Sequence, residues 1–375
     1  MDTVDHEAAA HAFGQGYQPT VGKIRTVVYQ SIPTGFTDKR QFPRSSRRGD
    51  YASYEGRRDD ERTPTMKGRD AWALVLAAGE GSRLRRLTRD ERGVAVPKQF
   101  CSLQVGPSLL QEALQRAATV APLQQICSVV AEQHREWWTP ILSYLPEQNV
   151  IVQPQNRGTA HGILLPLLRI VDRDPDATVV LLPADHYLRD EVIMASALRR
   201  AAHCAQSDPG SIYLLGVEPD EPDTELGYIL PASRSIDGAA HVQRFVEKPD
   251  RAKARALLEQ GALWNVFIMA ASARTLLGLF DARYARTIAA MRGFDGADLE
   301  SLYQRLGSVD FSKDVLQGNE ALLRVLTVPQ CGWTDLGTPE RVGLILEQLP
   351  GADAASYEHF PAHVSLAHQY ARAVA

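Results

Sequence analysis

At 375 residues the chain is long enough for one large domain or two ordinary ones, with a substantial buried core. Its apolar and charged fractions are ordinary for a globular protein, and a net charge of -4 excludes a general electrostatic drive toward nucleic acid or membrane surfaces. The four cysteines (Cys101, Cys127, Cys204, Cys331) show no CxxC or metal spacing, and no apolar run approaches the ~18 residues of a membrane span. With no signal-peptide core at the N-terminus, a cytoplasmic setting is expected.

Residues 1–68 are polar, charged and poor in aliphatic side chains, which predicts a disordered tail. Met66, just before the first strand, is a candidate alternative start. From Ala71 onward strands and helices alternate. Short runs rich in Val, Ile and Leu at 71–78, 126–131, 149–154, 178–184 and 211–217 suit strands covered on both faces. Helical periods at 108–120, 133–144, 158–171 and 189–206 separate them. This βαβ alternation predicts a mostly parallel sheet with right-handed crossovers. "LGYILPA", "HVQRFVEK" and "LWNVFIMA" then read as additional strands, followed by helix over 271–305, strand over 322–328 and a last helix over 338–348. One α/β domain spanning 70–348 is expected, with a tail at 349–375.

Chemistry concentrates in "LVLAAGEGSRLRRLTRDERGVAVPKQF" (74–100). Gly79-Glu80-Gly81 follows a strand, but Leu84 stands where a dinucleotide fingerprint needs its third glycine, and no Gly-Lys-Ser/Thr follows as in a Walker A loop. A plain strand-to-helix turn would also use glycine. The basic residues favour a phosphate site. Arg83, Arg85, Arg86 and Arg89 crowd one segment, and Lys98 follows Pro97. Glycine amides admit a phosphate closely, and guanidinium groups offer it paired donors.

"LAAGEGSRL…PKQF" resembles the signature of the sugar-1-phosphate nucleotidyltransferases, and Pro-Lys-Gln-Phe is similar to the mannose-1-phosphate guanylyltransferase branch. The resemblance continues in order through "QPQNRGTAHGI" (153–163), "LLPADH" (181–186), "GYI" (227–229), "FVEKP" (245–249), "WN" (264–265) and "GWTDLG" (332–337). It implies an α/β, Rossmann-like (GT-A-like) fold: a mixed, mostly parallel sheet flanked by helices, with a small β-rich sugar-binding insertion. The implied reaction joins an NTP, with GTP first, to a hexose 1-phosphate, with mannose 1-phosphate first, giving NDP-sugar and pyrophosphate. Other nucleotides or sugars, or a non-catalytic sugar-nucleotide-binding regulatory subunit, are the alternatives. Nucleic acid and membrane partners are not expected, and a homo-oligomer is left open. The strand over 178–184 is followed by Asp185-His186-Tyr187, not by the DxD motif of a related glycosyltransferase. The stretch past residue 348 is expected to leave no room for the isomerase domain of longer bifunctional relatives.

The resemblance also implies residue roles. Ala77, Ala78, Gly79 and Gly81 would form the nucleotide loop, with Gln153, Arg157 and Thr159 near base or ribose. Arg83 and Lys98 would hold the β- and γ-phosphates. Asp185 and Asp335 match the family's metal-binding aspartates and would hold Mg²⁺, a hard ion that takes oxygen ligands and keeps waters. Gly227, Glu247 and Asn265 would bind the sugar and Lys248 its 1-phosphate. Asp185, next to "VVLLPA", could otherwise be a helix cap, Glu247-Lys248 an exposed pair, and His186 either a substrate contact or a structural histidine. Asp310 is a weaker sugar-side candidate that could simply cap the helix after it. Trp137 and Trp138 are expected to pack a helix on the sheet. Departures from the pattern fall at Arg85-Arg86, at 158–161 and at Val266-Phe267.

Overall fold

The computed structural model describes residues 70–104, 106–233, 238–293, 296–349, 365–367 and 369. The expected tail at 1–68 and the start at Met66 lie outside the described residues. The first strand, β1 (Trp72–Leu76), is flanked by β2 (Ile126–Ala131) and β4 (Thr178–Pro183), and β3 (Val150–Gln153) extends the sheet beyond β2, all in parallel. Alternate residues of β1 supply two cores. Ala73 and Val75 face one, and Trp72 and Leu74 the other. This is the period-2 geometry of a strand covered on both sides.

Helices α1 (Leu109–Ala117), α2 (Arg135–Leu142) and α4 (Glu191–Ser207) cover the first face. The second carries α3 (Gly158–Arg173), α6 (Ala273–Gly293) and α7 (Gly296–Arg305). The starts are written locally. Ser108 and Gln111 form a reciprocal capping box on α1, and Asp190 caps α4. Trp138 is buried with its indole N–H on the Ala131 carbonyl, and Trp137 stacks on Phe100, so both tryptophans pack as expected.

The sheet has nine strands in the order β3-β2-β1-β4-β8-β5-β9-β7-β6, where β5 is Ile212–Val217, β6 Tyr228–Pro231, β7 Ala240–Val246, β8 Leu263–Ser272 and β9 Leu323–Val328. Here the expectation of a mostly parallel sheet is corrected. Four pairings are parallel and five antiparallel, because β8 enters between β4 and β5 against both. The strands expected as an insertion join this same sheet. β6 pairs with both β7 and β8, so β8-β5-β9-β7-β6 closes into a ring of pairings. A helix not anticipated, α5 (Arg251–Glu259), follows β7 and is capped by Asp250. The last long helix is α8 (Pro339–Gln348), capped by Thr338. Part of the expected C-terminal tail is docked: Leu366 and Ala367 donate backbone hydrogen bonds to the carbonyls of Ser102 and Leu103, and Leu366 is fully buried. No helix among the described residues is long and apolar enough to cross a membrane.

Candidate active site

A cleft of about 330 Å³ opens at the carboxyl ends of β1, β3 and β4, where ligands of open α/β sheets collect. Ala78, Gly79, Gln153, Thr159, Asp185, Glu247 and Lys248 all line it. Its floor is the turn after β1. Gly81 has φ +59°, and a Cβ there would lie 2.9 Å from the Lys98 backbone nitrogen, so only glycine lets this loop rest on the Pro97–Phe100 segment. Gln99, a residue whose importance the motif alone does not reveal, fixes the loop. Its buried amide donates to the carbonyls of Ala77 at 3.0 Å and Gly79 at 2.9 Å. The Ala77 N–H donates to the Val129 carbonyl.

The two aspartates implied by the resemblance, from the β4 end and the β9–α8 loop, are brought together by backbone pairing. Tyr187 and Thr334 exchange two hydrogen bonds of 3.0 Å each, docking one loop on the other. Asp185 is not a helix cap; Asp190 fills that role. Buried Lys98 lies between the two loops, its Nζ 3.1 Å from Asp185 Oδ2 and donating to the Asp335 carbonyl at 2.5 Å. Burial works to raise the Asp185 pKa and is the largest single influence, but Lys98 together with His186 and a backbone hydrogen bond outweighs it, and the carboxyl is held below its ordinary value. For Asp335 burial wins over Lys98, and its pKa is raised. Asp335 Oδ1 accepts from Gly337 N–H at 3.0 Å and from Arg341, whose other guanidinium nitrogen binds Asp223. Leu336 follows at φ +48°, the strained left-handed region that often marks functional turns.

His186 accepts a 3.2 Å hydrogen bond at Nδ1 from the Trp333 indole, which leaves its proton on Nε2. Burial pushes its pKa down to about 4, partly opposed by Asp185, so the ring is neutral at pH 7.

The opposite wall comes from the β6–β8 region. A Cβ on Gly227 would lie 2.6 Å from Glu247 Oε2, so the glycine admits this carboxylate. Gly227 and Asn265 do not line the cleft. They stand behind Glu247, with Asn265 N–H on the Gly227 carbonyl and Asn265 Oδ1 accepting from Phe267 N–H. Burial raises the Glu247 pKa despite Lys248 at 3.4 Å. Lys248 and Phe267 both have positive φ, +44° and +56°.

The β3–α3 loop is stitched to residues 309–311. Gly158 has φ +84° and no room for a Cβ beside the Val309 carbonyl, while Thr159 Oγ1 accepts from Phe311 N–H at 2.8 Å. Gln153 Oε1 is buried in the cleft wall with no hydrogen-bond partner among the described residues. Asp310 both lines the cleft and caps the turn after it through Lys313 N–H.

Ala77, Gly81, Lys98 and Asp335 are not among the residues that line the cleft, and two implied arginines engage partners elsewhere. Arg157 points away from the cleft; its guanidinium donates to the Tyr303 carbonyl at 2.7 Å and to Gln155 at 2.8 Å. Arg83 lies outside the cleft lining, in a 2.6 Å ion pair with Glu225. Arg85 lies 3.7 Å from Glu80.

The nucleotidyl transferase family matches residues 72–343. The chain is 31% identical over 280 residues to the xanthan biosynthesis protein XanB of Xanthomonas campestris pv. campestris (strain B100), covering 72% of this chain and 58% of that relative. It is 33% identical over 198 residues to a mannose-1-phosphate guanylyltransferase of Klebsiella pneumoniae, covering 51% and 41%. The chain thus spans only about half the length of these curated relatives. Among solved structures, one described as mannose-1-phosphate geranyltransferase from Thermus thermophilus superposes with a TM-score of 0.63 at 29% identity, over 73% of this chain and 79% of that one. By its family match across the sheet and the cleft, the chain belongs to the nucleotidyl transferase family.

Proposed function

We propose that this chain joins a nucleoside triphosphate to a hexose 1-phosphate, releasing pyrophosphate and forming an NDP-sugar. The carrying observation is that Asp185, paired with Lys98 and through it joined to the Asp335 loop, lines the same cleft as Glu247 and Lys248. GTP and mannose 1-phosphate are the first substrates to test, supported by the guanylyltransferase named among the relatives. Gln153 supports a nucleobase there, since an unpartnered buried acceptor costs about 1–3 kcal/mol unless a ligand donor meets it.

In this reading a phosphate oxygen of the sugar 1-phosphate attacks the α-phosphorus, and the bond from that phosphorus to the bridging oxygen of pyrophosphate breaks. The attacking group is already an anion, so no general base is required, and neutral His186 serves as a positioning group. Positioning and charge then carry the rate. Lys98 holds the polyphosphate and Lys248 the sugar phosphate, while Glu247 accepts from sugar hydroxyls.

Among the described residues no cluster of three or more acidic, His or Cys side chains suited to a metal exists. A pair of carboxylates fits a hard ion that fills its remaining positions with water and substrate oxygens, so Asp185 and Asp335 would hold Mg²⁺. When bound, the ion supplies charge stabilisation at the α-phosphate. The test is pyrophosphate release by Asp185→Ala. A loss of about a hundredfold or more is expected, the cost of one preorganised charge-stabilising group, and near-normal turnover in the folded variant would sink the assignment.

A further inference from the structure

The segment between β5 and β6 reads Glu218-Pro-Asp220-Glu221-Pro-Asp223-Thr-Glu225, five acids in eight residues. Two of them reach basic side chains beside the nucleotide loop. Glu225 Oε2 pairs with Arg83 Nη2 at 2.6 Å, and Asp223 Oδ2 binds Arg341, which also grips Asp335. The loop is built for this pose. The Asp223 N–H donates to the buried Tyr228 hydroxyl at 2.8 Å, and Asp223 Oδ1 accepts from the Glu225 N–H at 2.7 Å. Asp223 is therefore tied down on three sides, and Glu225 is aimed outward from a fixed turn.

The two arms differ in environment. The Asp223–Arg341–Asp335 chain is largely shielded, with side chains no more than 20% exposed, so it behaves as an anchor. The Glu225–Arg83 pair is open, at 41% and 55% exposure, and water screens it. A guanidinium fork fits a carboxylate and a phosphate alike, so the two compete for Arg83. A polyphosphate brings more charge and more acceptor oxygens than one glutamate.

We propose that the acidic β5–β6 loop is a carboxylate latch on the triphosphate site, with Glu225 holding Arg83 until the polyphosphate of the incoming nucleotide replaces it. The inference rests on the reading of Arg83 as a triphosphate anchor. Glu225 thus sets nucleotide affinity from outside the cleft. It keeps Arg83 paired in the free enzyme, and every binding event must break that pair. Because Asp223 and Asp335 share Arg341, the latch is fixed to the same loop that carries the candidate metal carboxylate.

The test is calorimetric titration of the full chain with GTP and, separately, inorganic tripolyphosphate, in the presence of Mg²⁺. The proteins are wild type, Glu225→Gln, Arg83→Gln and the double variant, with Glu225→Asp as a second probe of the arm. Glu225→Gln should bind both probes about two- to fivefold more tightly than wild type, the range expected for one open ion pair. In the Arg83→Gln background the same change should have no effect, since Glu225 acts through Arg83. Unchanged or weaker binding by Glu225→Gln, beside normal wild-type binding, would overturn the latch alone. An equal gain in both backgrounds would also overturn it, by showing only bulk charge repulsion. Failure of the wild type to bind any nucleoside triphosphate would overturn both the latch and the nucleotidyltransferase reading.

Discussion

Replacing Lys98 by methionine removes one ammonium from the centre of the site while keeping most of its buried stem. The native Nζ reaches Asp185 Oδ2 at 3.1 Å and the carbonyls of Asp335 and Leu336 at 2.5 and 3.4 Å. Three consequences follow from those contacts. Asp185 loses the cation that holds its pKa below the ordinary value, and Asp335, already raised by burial, loses its main opposing charge. Ionised carboxylates are what a cation requires, so activity should fail at a higher pH on the acid side than in wild type. The third consequence is the largest. Losing one preorganised donor to transition-state charge typically costs about 3 kcal/mol, and at about 1.4 kcal/mol per decade that is roughly a hundredfold or more in turnover. Steady-state pyrophosphate release at saturating substrates measures the loss, with circular dichroism and a thermal melt to verify folding. A folded Lys98→Met protein with kcat within about fivefold of wild type, well short of the loss that one donor entails, would refute the placement of Lys98 at the reacting phosphates.

Glu112 sits on α1 beside buried Arg116, which pairs with exposed Glu191, and burial pushes the Glu112 pKa up to about 7, with Arg116 opposing. A folded-state pKa above the unfolded value means that the native state holds the extra proton. Stability is therefore fully present below the ordinary value of 4.5 and is lost as pH rises toward about 7. Glu112→Gln should raise the melting temperature at pH 8 and leave it unchanged near pH 4, and an equal shift at both would contradict the assignment. Gly158→Ala should cost more than about 1 kcal/mol in denaturant unfolding, because its φ of +84° is compounded by collision with the Val309 carbonyl. Leu366→Ala should cost about 2–4 kcal/mol by the same measure, as expected for a fully buried leucine. A neutral result would show that residues 365–367 do not hold the docked position.

Much of this architecture was legible because it is written locally. Strands buried on both faces favour short, mostly apolar runs without polar alternation, and β2 and β5 are buried along their whole length. Residue spacing also placed Asp185 and Gly79 at strand ends. What stayed hidden depends on contacts far apart in sequence. β8 reads as a strand, but nothing in "LWNVFIMAAS" announces that it runs between β4 and β5 in the opposite sense. α5 is short and highly charged, so its apolar stripe is reduced to Ala254 and Leu257. The same holds for polar side chains. Arg157 and Gln99 are both polar residues within motifs, yet one is engaged by carbonyls of α7 and the other braces the nucleotide loop. A signal for Gln99 existed in its position after Pro-Lys in an otherwise apolar segment, Val94 to Cys101. For Arg341 there was none, since its partners lie 118 positions upstream at Asp223 and six residues upstream at Asp335.

The central claim is that the cleft between Asp185 and Lys248 joins a nucleoside triphosphate to a sugar 1-phosphate. Pyrophosphate release across a grid of nucleoside triphosphates and hexose 1-phosphates, with and without Mg²⁺, tests it most directly. The expected result is Mg²⁺-dependent release that requires both substrates and is greatest with GTP and mannose 1-phosphate. No release for any pair, combined with tight binding of a sugar nucleotide, would contradict it.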